Sequence, residues 1–380
     1  MKKIMEIQKK VSSAVIVVAL LLTAGSVIAQ DGVNKRSIVL GQSIALTGPG
    51  SGLAVPFYTG AKIYFDRVNT AGGINGRKIE LVTLDDTGRP TNTAANTKKL
   101  LDQGVLSLFG FYGSLQVGAA YPLIKNTDII LFAPMSAADE FRGPLYANIY
   151  SIRPGYSVEA AAITRHALML GSTKFGVLHA TDGESLSALE AAERTMTRLG
   201  AQLVVKSSMG GGNLATSVDI ALDAQPQSVL LISDAPSAAS VVRDLKAKGF
   251  RGLIYGFSNT GESLLADELG PEGAGVVVVR VVPVSDHAKV QVVRELAVDA
   301  LAAKAGKPNV YMLEGYIAAR TYAEALRRIQ QVPNRALLKR SLESLNNFVI
   351  GDFRVHFATD RVGSKLVELS VVDSQGRVRH

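Results

Sequence analysis

Apolar runs of strand length alternate with helical patterns along most of the chain. The first run, SIVLGQSIAL (residues 37–46), predicts a strand, and a helix is expected after it because Phe57, Ala61 and Phe65 recur on one face at helical spacing. The alternation continues through KIELVTLDD, VLSLFGF, DIILFAP, KFGVLHA, AQLVVKS, SVLLISD and GLIYGF. Continuous apolar strands that alternate with helices are typical of parallel sheets covered on both faces, which predicts an α/β fold.

Two segments interrupt this rhythm and predict a two-lobe organisation. Residues 148–157 connect the first set of strand and helix units to the second, and residues 273–287 form a long β run. A helical stretch over 289–345 and a β-rich tail follow. The sequence therefore predicts two Rossmann-like lobes with parallel sheets, joined by a multi-strand hinge. The first lobe is expected to comprise residues 30–152 plus 284–345, and the second lobe residues 153–283 plus 346–380.

The first 29 residues have the pattern of a secretory signal peptide. Four lysines at positions 2, 3, 9 and 10 precede an apolar stretch over 14–22, and Val27 and Ala29 lie just before a cut at Gln30. The alternative is a membrane anchor, because residues 11–29 carry no charge and nearly reach the length of a spanning helix. The small residues at the end favour cleavage, which predicts a periplasmic protein.

Composition excludes several classes of function. The 380-residue chain has no Cys, so disulfides, thiolate metal ligands and Cys nucleophiles are absent. Its formal charge is +8, but the predicted signal peptide holds four Lys and one Glu, and the other basic residues are scattered. This distribution is not that of a nucleic-acid-binding protein. No later apolar run predicts a transmembrane helix.

Motifs for nucleotide binding and catalysis are not found, so neither an enzyme nor a cofactor or metal is expected. Gly48, Gly50 and Gly52 follow the first strand, but their spacing differs from the dinucleotide fingerprint and no Gly-Lys-Ser/Thr loop occurs. GESLS (183–187) lacks the final Gly of a nucleophile elbow. The glycine-rich turn is instead expected at the carboxyl edge of a parallel sheet, where such sheets bind ligands.

Two strands predict an anion-binding site at one edge of the first sheet. One short helix separates VLSLFGF from DIILFAP, so the two strands are expected to be neighbours with their following loops on the same edge. Ser114 then begins one helix, and Met135, Ser136 and Ala137 begin the next. Two helix starts and two hydroxyls would suit a carboxylate. The alternative is that both Ser side chains only cap their helices.

The whole mature chain resembles the periplasmic solute-binding proteins of the leucine/isoleucine/valine-binding family. The resemblance rests on IALTGPGSG followed by YTGAKIYFDRVNTAGGINGRKIELVTLDD, and on GFYGS, ILFAPMSAADEF and GPEGAG. It implies the type I periplasmic binding fold, in which a monomer captures a small solute in the cleft between two lobes. Hinge motion would close the lobes. The membrane permease of an ABC importer is the implied partner.

The resemblance carries over the carboxylate-binding half of the family's site. Ser114 falls on the serine that binds the ligand's carboxylate. The loop of backbone and hydroxyl contacts falls on residues 135–137, with Ala137 in place of the usual Thr. Leu53 falls where an aromatic residue often touches the ligand side chain. A solute with a carboxylate is therefore expected.

The ammonium-binding half of that site is altered. Asp182 and Asp234 replace two tyrosines, and Ser258 falls near the glutamate that holds the ligand's ammonium. If either Asp points into the cleft, an amino acid still fits. If both only cap helices, a buried ammonium lacks compensation, and a non-amino aliphatic or aromatic organic acid fits better. The expected solute is an amino acid of branched-chain type or a relative; a secreted α/β enzyme and a sensor subunit are the alternatives from other classes.

The mature protein is expected to begin at Gln30, because a signal peptidase would cut after the Val27-x-Ala29 sequence. N-terminal sequencing of the protein from its native host checks this. An intact Met1 would contradict cleavage and, with it, the predicted export.

Overall fold

The computed structural model describes residues 31–210, 214–283 and 289–379, which form two α/β lobes with mainly parallel sheets. The fold class predicted from the sequence is confirmed. The predicted signal peptide lies outside the described residues, as do residues 284–287 of the long β run.

The first lobe is built on a five-stranded sheet. Its strands are β1 (Ser37–Ile44), β2 (Lys78–Asp85), β3 (Ser107–Phe109), β4 (Leu131–Phe132) and β5 (Ile149–Tyr150). They lie in the order β2-β1-β3-β4-β5, and every neighbouring pair is parallel. The loops that follow β1, β3 and β4 therefore meet at one edge of this sheet.

The second lobe is built on a seven-stranded sheet, and a small hairpin lies outside both sheets. The sheet's strands are β6 (Lys174–His179), β7 (Gln202–Ser208), β8 (Ser228–Ile232), β9 (Leu253–Gly256), β10 (Val276–Arg280), β13 (Glu368–Val372) and β14 (Val378–Arg379). Their order is β14-β13-β10-β9-β8-β6-β7, and only β13 and β14 run antiparallel to their neighbours. The hairpin pairs β11 (Phe348–Ile350) with β12 (Phe353–Val355).

Helices cover the sheets, as expected for parallel strands. In chain order they are α1 (Ser51–Thr70), α2 (Pro90–Asp102), α3 (Ser114–Ala120), α4 (Tyr156–Met169), α5 (Gly183–Leu199), α6 (Leu214–Asp223), α7 (Ala235–Ala247), α8 (Glu262–Leu269), α9 (Gln291–Ala302), α10 (Val310–Arg327) and α11 (Arg335–Glu343). None of the helices within the described ranges has both the length and the apolar character needed to cross a bilayer.

Helices α1 and α10 pack so closely that two positions require glycine. A Cβ at Gly60 would lie 1.9 Å from the carbonyl oxygen of Met312, and one at Gly315 would lie 1.9 Å from that of Phe57. Phe57 and Tyr316 are both buried in the core of the first lobe. This backbone contact ties a late part of the chain to the first lobe.

The chain passes between the lobes three times within its described course: after β5, after β10 and after β12. The first and third crossings are hydrogen-bonded to each other. The backbone N–H of Gly363 donates to the carbonyl of Ser151 at 2.8 Å, and that of Ser364 donates to the carbonyl of Ile152 at 2.8 Å. The hinge is therefore built from paired segments that are distant in sequence.

Two segments differ from their sequence-based description. The helical stretch 289–345 is divided into α9, α10 and α11, with Pro308 and Pro333 between them, because proline disfavours continuation of a helix. The tail 346–380 was assigned to the second lobe, but Phe353 and Val355 pack in the core of the first lobe. Only β13 and β14 join the second sheet. The hairpin thus belongs to the first lobe because its apolar side chains are buried there.

Gly315→Ala is expected to destabilise the protein by about 1–3 kcal/mol, because the added methyl group would force α1 and α10 apart. Urea unfolding followed by circular dichroism measures the free energy of unfolding. Gly118→Ala in α3 is the matched control, since a Cβ there meets no atom within 4 Å and alanine favours a helix by up to about 1 kcal/mol. Equal stability of the two variants would contradict the close packing.

Candidate functional site

A cavity of about 500 Å³ lies between the two lobes. The first lobe contributes the turn after β1 and the start of α1, including Gly50 and Leu53, and the loop after β3, including Tyr112. The second lobe contributes the loops after β6 and β8, including Asp182 and Asp234. All these segments follow the carboxyl ends of parallel strands, which is where open α/β sheets bind ligands.

The glycine-rich turn allows Tyr112 to approach the start of α1. Gly50 has a φ of +82° and directly precedes the helix. A Cβ at Gly50 would lie 2.4 Å from the Cε1 atom of Tyr112. Glycine is needed here both for the left-handed backbone and for the space that the aromatic ring occupies.

The cavity is acidic. Asp182, Glu184 and Asp234 line it, and none of the described lining residues is Lys, Arg or His. The carboxylates surround Tyr112: burial raises the pKa of its hydroxyl well above the ordinary value, and Glu184, Asp182 and Asp234 raise it further. Within the described residues no group of three or more His, Asp or Glu side chains could hold a metal ion. Among the described residues, the charged groups that line the cavity are thus all carboxylates.

Ser114 and Ala137, two residues of the predicted anion site, lie close together, and a side chain of the second lobe accepts a hydrogen bond from each. The hydroxyl of Ser114 donates to Oε2 of Glu184, and the backbone N–H of Ala137 donates to Oε1 of Glu184 at 2.8 Å. The Oγ atoms of Ser114 and Ser136 are 2.9 Å apart. Glu184 lies in the first turn of α5 and is only 6 % exposed. Its carboxylate thus bridges the two lobes.

Arg142 holds the loop that presents the N–H of Ala137. Its guanidinium donates to the carbonyl oxygens of Ser136 at 2.9 Å and Ala138 at 2.7 Å, on either side of Ala137. Burial, with Arg153 nearby, lowers the pKa of Arg142 to about 10, so it stays charged at neutral pH. The loop that carries Ala137 is therefore held by a partly buried cation.

Of the two predicted helix starts, the one at Ser114 is present and the one at residues 135–137 is not. Ser114 does begin α3, but its side chain makes no capping bond. Met135 is bridged to Tyr112 as in a parallel sheet, and the segment 135–138 is not helical. Helix α3 also ends at Ala120 rather than at 125, and a short 3₁₀ turn over Tyr121–Leu123, which contains Pro122, follows it. Donors from one serine and one extended loop, rather than two helix dipoles, therefore make the site.

The two predicted aspartates serve as helix caps and also line the cavity. Asp182 accepts the N–H of Ser185 at 3.0 Å at the start of α5. Asp234 accepts the N–H of Ser237 at 3.1 Å at the start of α7. Both side chains are exposed at the cavity. Capping satisfies part of their hydrogen-bonding capacity but leaves their negative charge at the cleft.

Comparison with known proteins identifies the family. The family model described as periplasmic binding protein matches residues 37–373. The chain belongs to this family. An amino acid binding protein of Pseudomonas aeruginosa is 22 % identical over 312 residues, which cover 80 % of this chain and 82 % of that protein. The resemblance to the leucine/isoleucine/valine-binding proteins is thereby confirmed, and its members bind solutes rather than catalyse reactions.

Solved structures share the fold of this periplasmic binding protein. An extracellular ligand-binding receptor from Verminephrobacter eiseniae is 25 % identical, with a TM-score of 0.83 and coverage of 91 % of this chain and 100 % of that one. A branched chain amino acid ABC transporter from Thermus thermophilus, with bound valine, is 19 % identical, with a TM-score of 0.83 and coverage of 91 % and 96 %. The latter likeness is one of fold.

Ser258 of the binding protein lies in a buried ionic network and not on the cavity. Its hydroxyl donates to Oε1 of Glu159 at 2.9 Å and also contacts Arg153. Arg153 lies 3.3 Å from Glu159 and 3.6 Å from Glu314, and all three charged side chains are almost fully buried. Burial opposes the charge on Arg153, but Glu314 and Glu159 outweigh it and raise its pKa. Ser258 therefore contributes hydrogen bonds to the ionic network of Arg153, next to the first crossing.

Leu53 and Met135 complete the predicted residues. Leu53 lines the cavity, as expected, whereas Met135 is buried in the core of the first lobe. Tyr112 and Glu184 were not predicted. Each lies two positions from a predicted residue, with one glycine between them: Tyr112-Gly113-Ser114 and Asp182-Gly183-Glu184. A polar residue this close to a predicted position was the available signal.

Arg153→Met is expected to destabilise the binding protein by about 3–5 kcal/mol at pH 7, because Glu159 and Glu314 would lose their buried cation. Urea unfolding at several pH values measures this. Burial already raises the pKa of both glutamates above 4.5. Without Arg153 these two pKa values rise further in the folded variant, so its glutamates bind protons at a higher pH than those of the unfolded chain. The loss of folding free energy relative to the wild type should therefore shrink as the pH falls towards the ordinary glutamate range.

Arg194→Met is the control for this experiment. Arg194 pairs with Asp139 at 3.3 Å, but its side chain is 54 % exposed. Removal of an exposed ion pair should cost less than about 1 kcal/mol. A similar, pH-independent loss in both variants would rule out a special role for the buried network.

Proposed function

We propose that this periplasmic binding protein captures a small solute with an ammonium group, of the branched-chain amino acid type or a relative, for an ABC importer. The observation that supports this most is the acidic lining of the cavity between the lobes. Asp182 and Asp234 are exposed at one space, and Glu184 also lines it, with its carboxylate turned towards Ser114 and Ala137. No basic residue is among the described lining residues. A cation that leaves water for this space would be compensated by the three carboxylates.

The cavity disfavours the alternative solute, an organic acid without an amino group. Such an anion would be placed beside three like charges, and like charges at short range are costly in a partly enclosed site. The sequence favours an organic acid only if Asp182 and Asp234 both serve solely as helix caps. Because both carboxylates also line the cavity, that condition is met only in part.

The size of the cavity and the hinge support solute capture rather than a structural role. Its volume of about 500 Å³ lies in the range of small-molecule sites. The solute would contact both lobes, and contacts to both lobes are what favours a closed state over an open one. The closed monomer is then the form that the membrane permease would recognise in the periplasm.

Isothermal titration calorimetry of the wild-type protein tests the solute class. Leucinamide carries an ammonium and no carboxylate, whereas 4-methyl-2-oxopentanoate carries a carboxylate and no ammonium. Leucinamide is expected to bind at least roughly 100-fold more tightly, since the two compounds carry single charges of opposite sign into a cavity lined by carboxylates. Heat from the keto acid together with none from leucinamide would contradict the proposal.

Asp182→Asn and Asp234→Asn remove charge while keeping the caps, because Asn caps helices about as well as Asp. Each is expected to weaken leucinamide binding by roughly 5- to 10-fold with little change in thermal stability. Glu193→Gln, on the outer part of α5 next to Lys206, is the control and should leave affinity unchanged. Unchanged affinity in both Asn variants would mean that these carboxylates do not face the solute.

A further inference from the structure

The carboxylate of Glu184 lies where the free protein would otherwise offer an anion-binding pocket. The hydroxyl of Ser114 and the N–H of Ala137 each donate to one of its two oxygens. Tyr156 is fully buried. Burial is the largest cause that raises the pKa of its hydroxyl, and the nearby negative charge of Glu184 raises this pKa further. Hydrogen-bond donors on both oxygens make this a fitted carboxylate site and not a chance contact.

The contact also brings the two lobes together. Leu115, next to Ser114 on α3, occupies the space beside Gly183, where a Cβ would lie 2.3 Å from the Cγ atom of Leu115. Gly183 therefore lets the start of α5 come within reach of Ser114. Glycine at 183 and glutamate at 184 act together: one permits the approach, and the other supplies the charge.

A second carboxylate cannot share this pocket. Each donor already has an acceptor, and an incoming carboxylate would stand within a few ångströms of Glu184 in a buried place. A solute with its own carboxylate at this position would first have to displace Glu184 from Ser114 and Ala137. A solute with only an ammonium meets Glu184 as a counter-charge instead.

We propose that Glu184 is the specificity-determining residue of the cleft, because its carboxylate occupies the pocket of Ser114 and Ala137 in place of a carboxylate of the solute. Within the ammonium-bearing class proposed above, the preferred solute is then a relative of the amino acids that lacks a free carboxylate, such as a small organic amine or an amino-acid amide, and free amino acids bind more weakly. This rests on the proposed function in one respect, namely that an ammonium-bearing solute binds in the cleft. It departs from the sequence-based expectation that Ser114 holds the carboxylate of the solute.

The occupied pocket can be tested without knowledge of the solute. Glu184→Ala should vacate it, lower the thermal unfolding temperature and make that temperature rise with added sodium acetate, relative to sodium chloride at equal ionic strength. The wild-type protein should show no such acetate effect. Glu190→Ala is the matched control, because Glu190 is on the same helix with a side chain that is 70 % exposed. The absence of acetate protection in folded Glu184→Ala protein would overturn the proposal.

Selectivity is tested by titration with leucine and leucinamide. The wild-type protein should bind leucinamide more tightly than leucine, and Glu184→Ala should gain affinity for leucine by roughly 10- to 100-fold, the effect of charge-assisted hydrogen bonds to Ser114 and Ala137. Glu184→Gln keeps the pocket filled, so it should gain little, and it also serves if Glu184→Ala does not fold. Tight leucine binding by the wild-type protein, or equal gains in both variants, would overturn the proposal.

The two proposals fail in different ways. If acetate protects Glu184→Ala but no ammonium-bearing compound binds the wild-type protein or any variant, Glu184 fills the pocket and the proposed solute class is wrong. If leucine and leucinamide bind the wild-type protein equally well and acetate has no effect, the solute class stands and the role of Glu184 is wrong.

Discussion

The arrangement of the cleft depends on the ionic contacts of one buried cation between the lobes. Arg153 lies just after the first crossing and is flanked by Glu159 of α4 in the second lobe and Glu314 of α10 in the first. Since an unpaired charge in this position would be strongly unfavourable, the N-terminal ends of α4 and α10 must stay next to the crossing as the lobes open and close. The same cluster anchors the loop of Ser258 beyond β9, so its effect reaches the wall of the second lobe.

The cleft combines groups with opposite requirements. Two cations, the partly buried Arg142 and the almost fully buried Arg153, do not line the cavity. The charged residues that do line it are all carboxylates among the described residues. The cations attract Glu184 inwards and fix the loop around Ala137. The carboxylates of Asp182 and Asp234 are left nearer the opening. Charge is therefore layered, with positive charge inside the protein and negative charge towards the solute.

Most of the fold could be predicted from the sequence, but only part of the site could. Strands and helices follow from local periodicity, and the meeting of Ser114 with Ser136 follows from the adjacency of β3 and β4. The caps at Asp182 and Asp234 are also local. The contact between Glu184 and Ser114 depends on how the two lobes approach each other, which no local pattern encodes. The hairpin 348–355 was misplaced for a similar reason, because burial of Phe353 is decided by tertiary packing.

The pairing of the first and third crossings limits how the lobes can separate. Backbone hydrogen bonds join Ser151 to Gly363 and Ile152 to Ser364, so these two segments cannot slide along each other without loss of the bonds. They form a short two-stranded ribbon that can bend or twist as a unit. Such a ribbon permits rotation of one lobe over the other about an axis through the ribbon and resists translation. The cleft would thus open by a rotation about the ribbon, and the separation of the lobes would be largest at the edge farthest from residues 151 and 363.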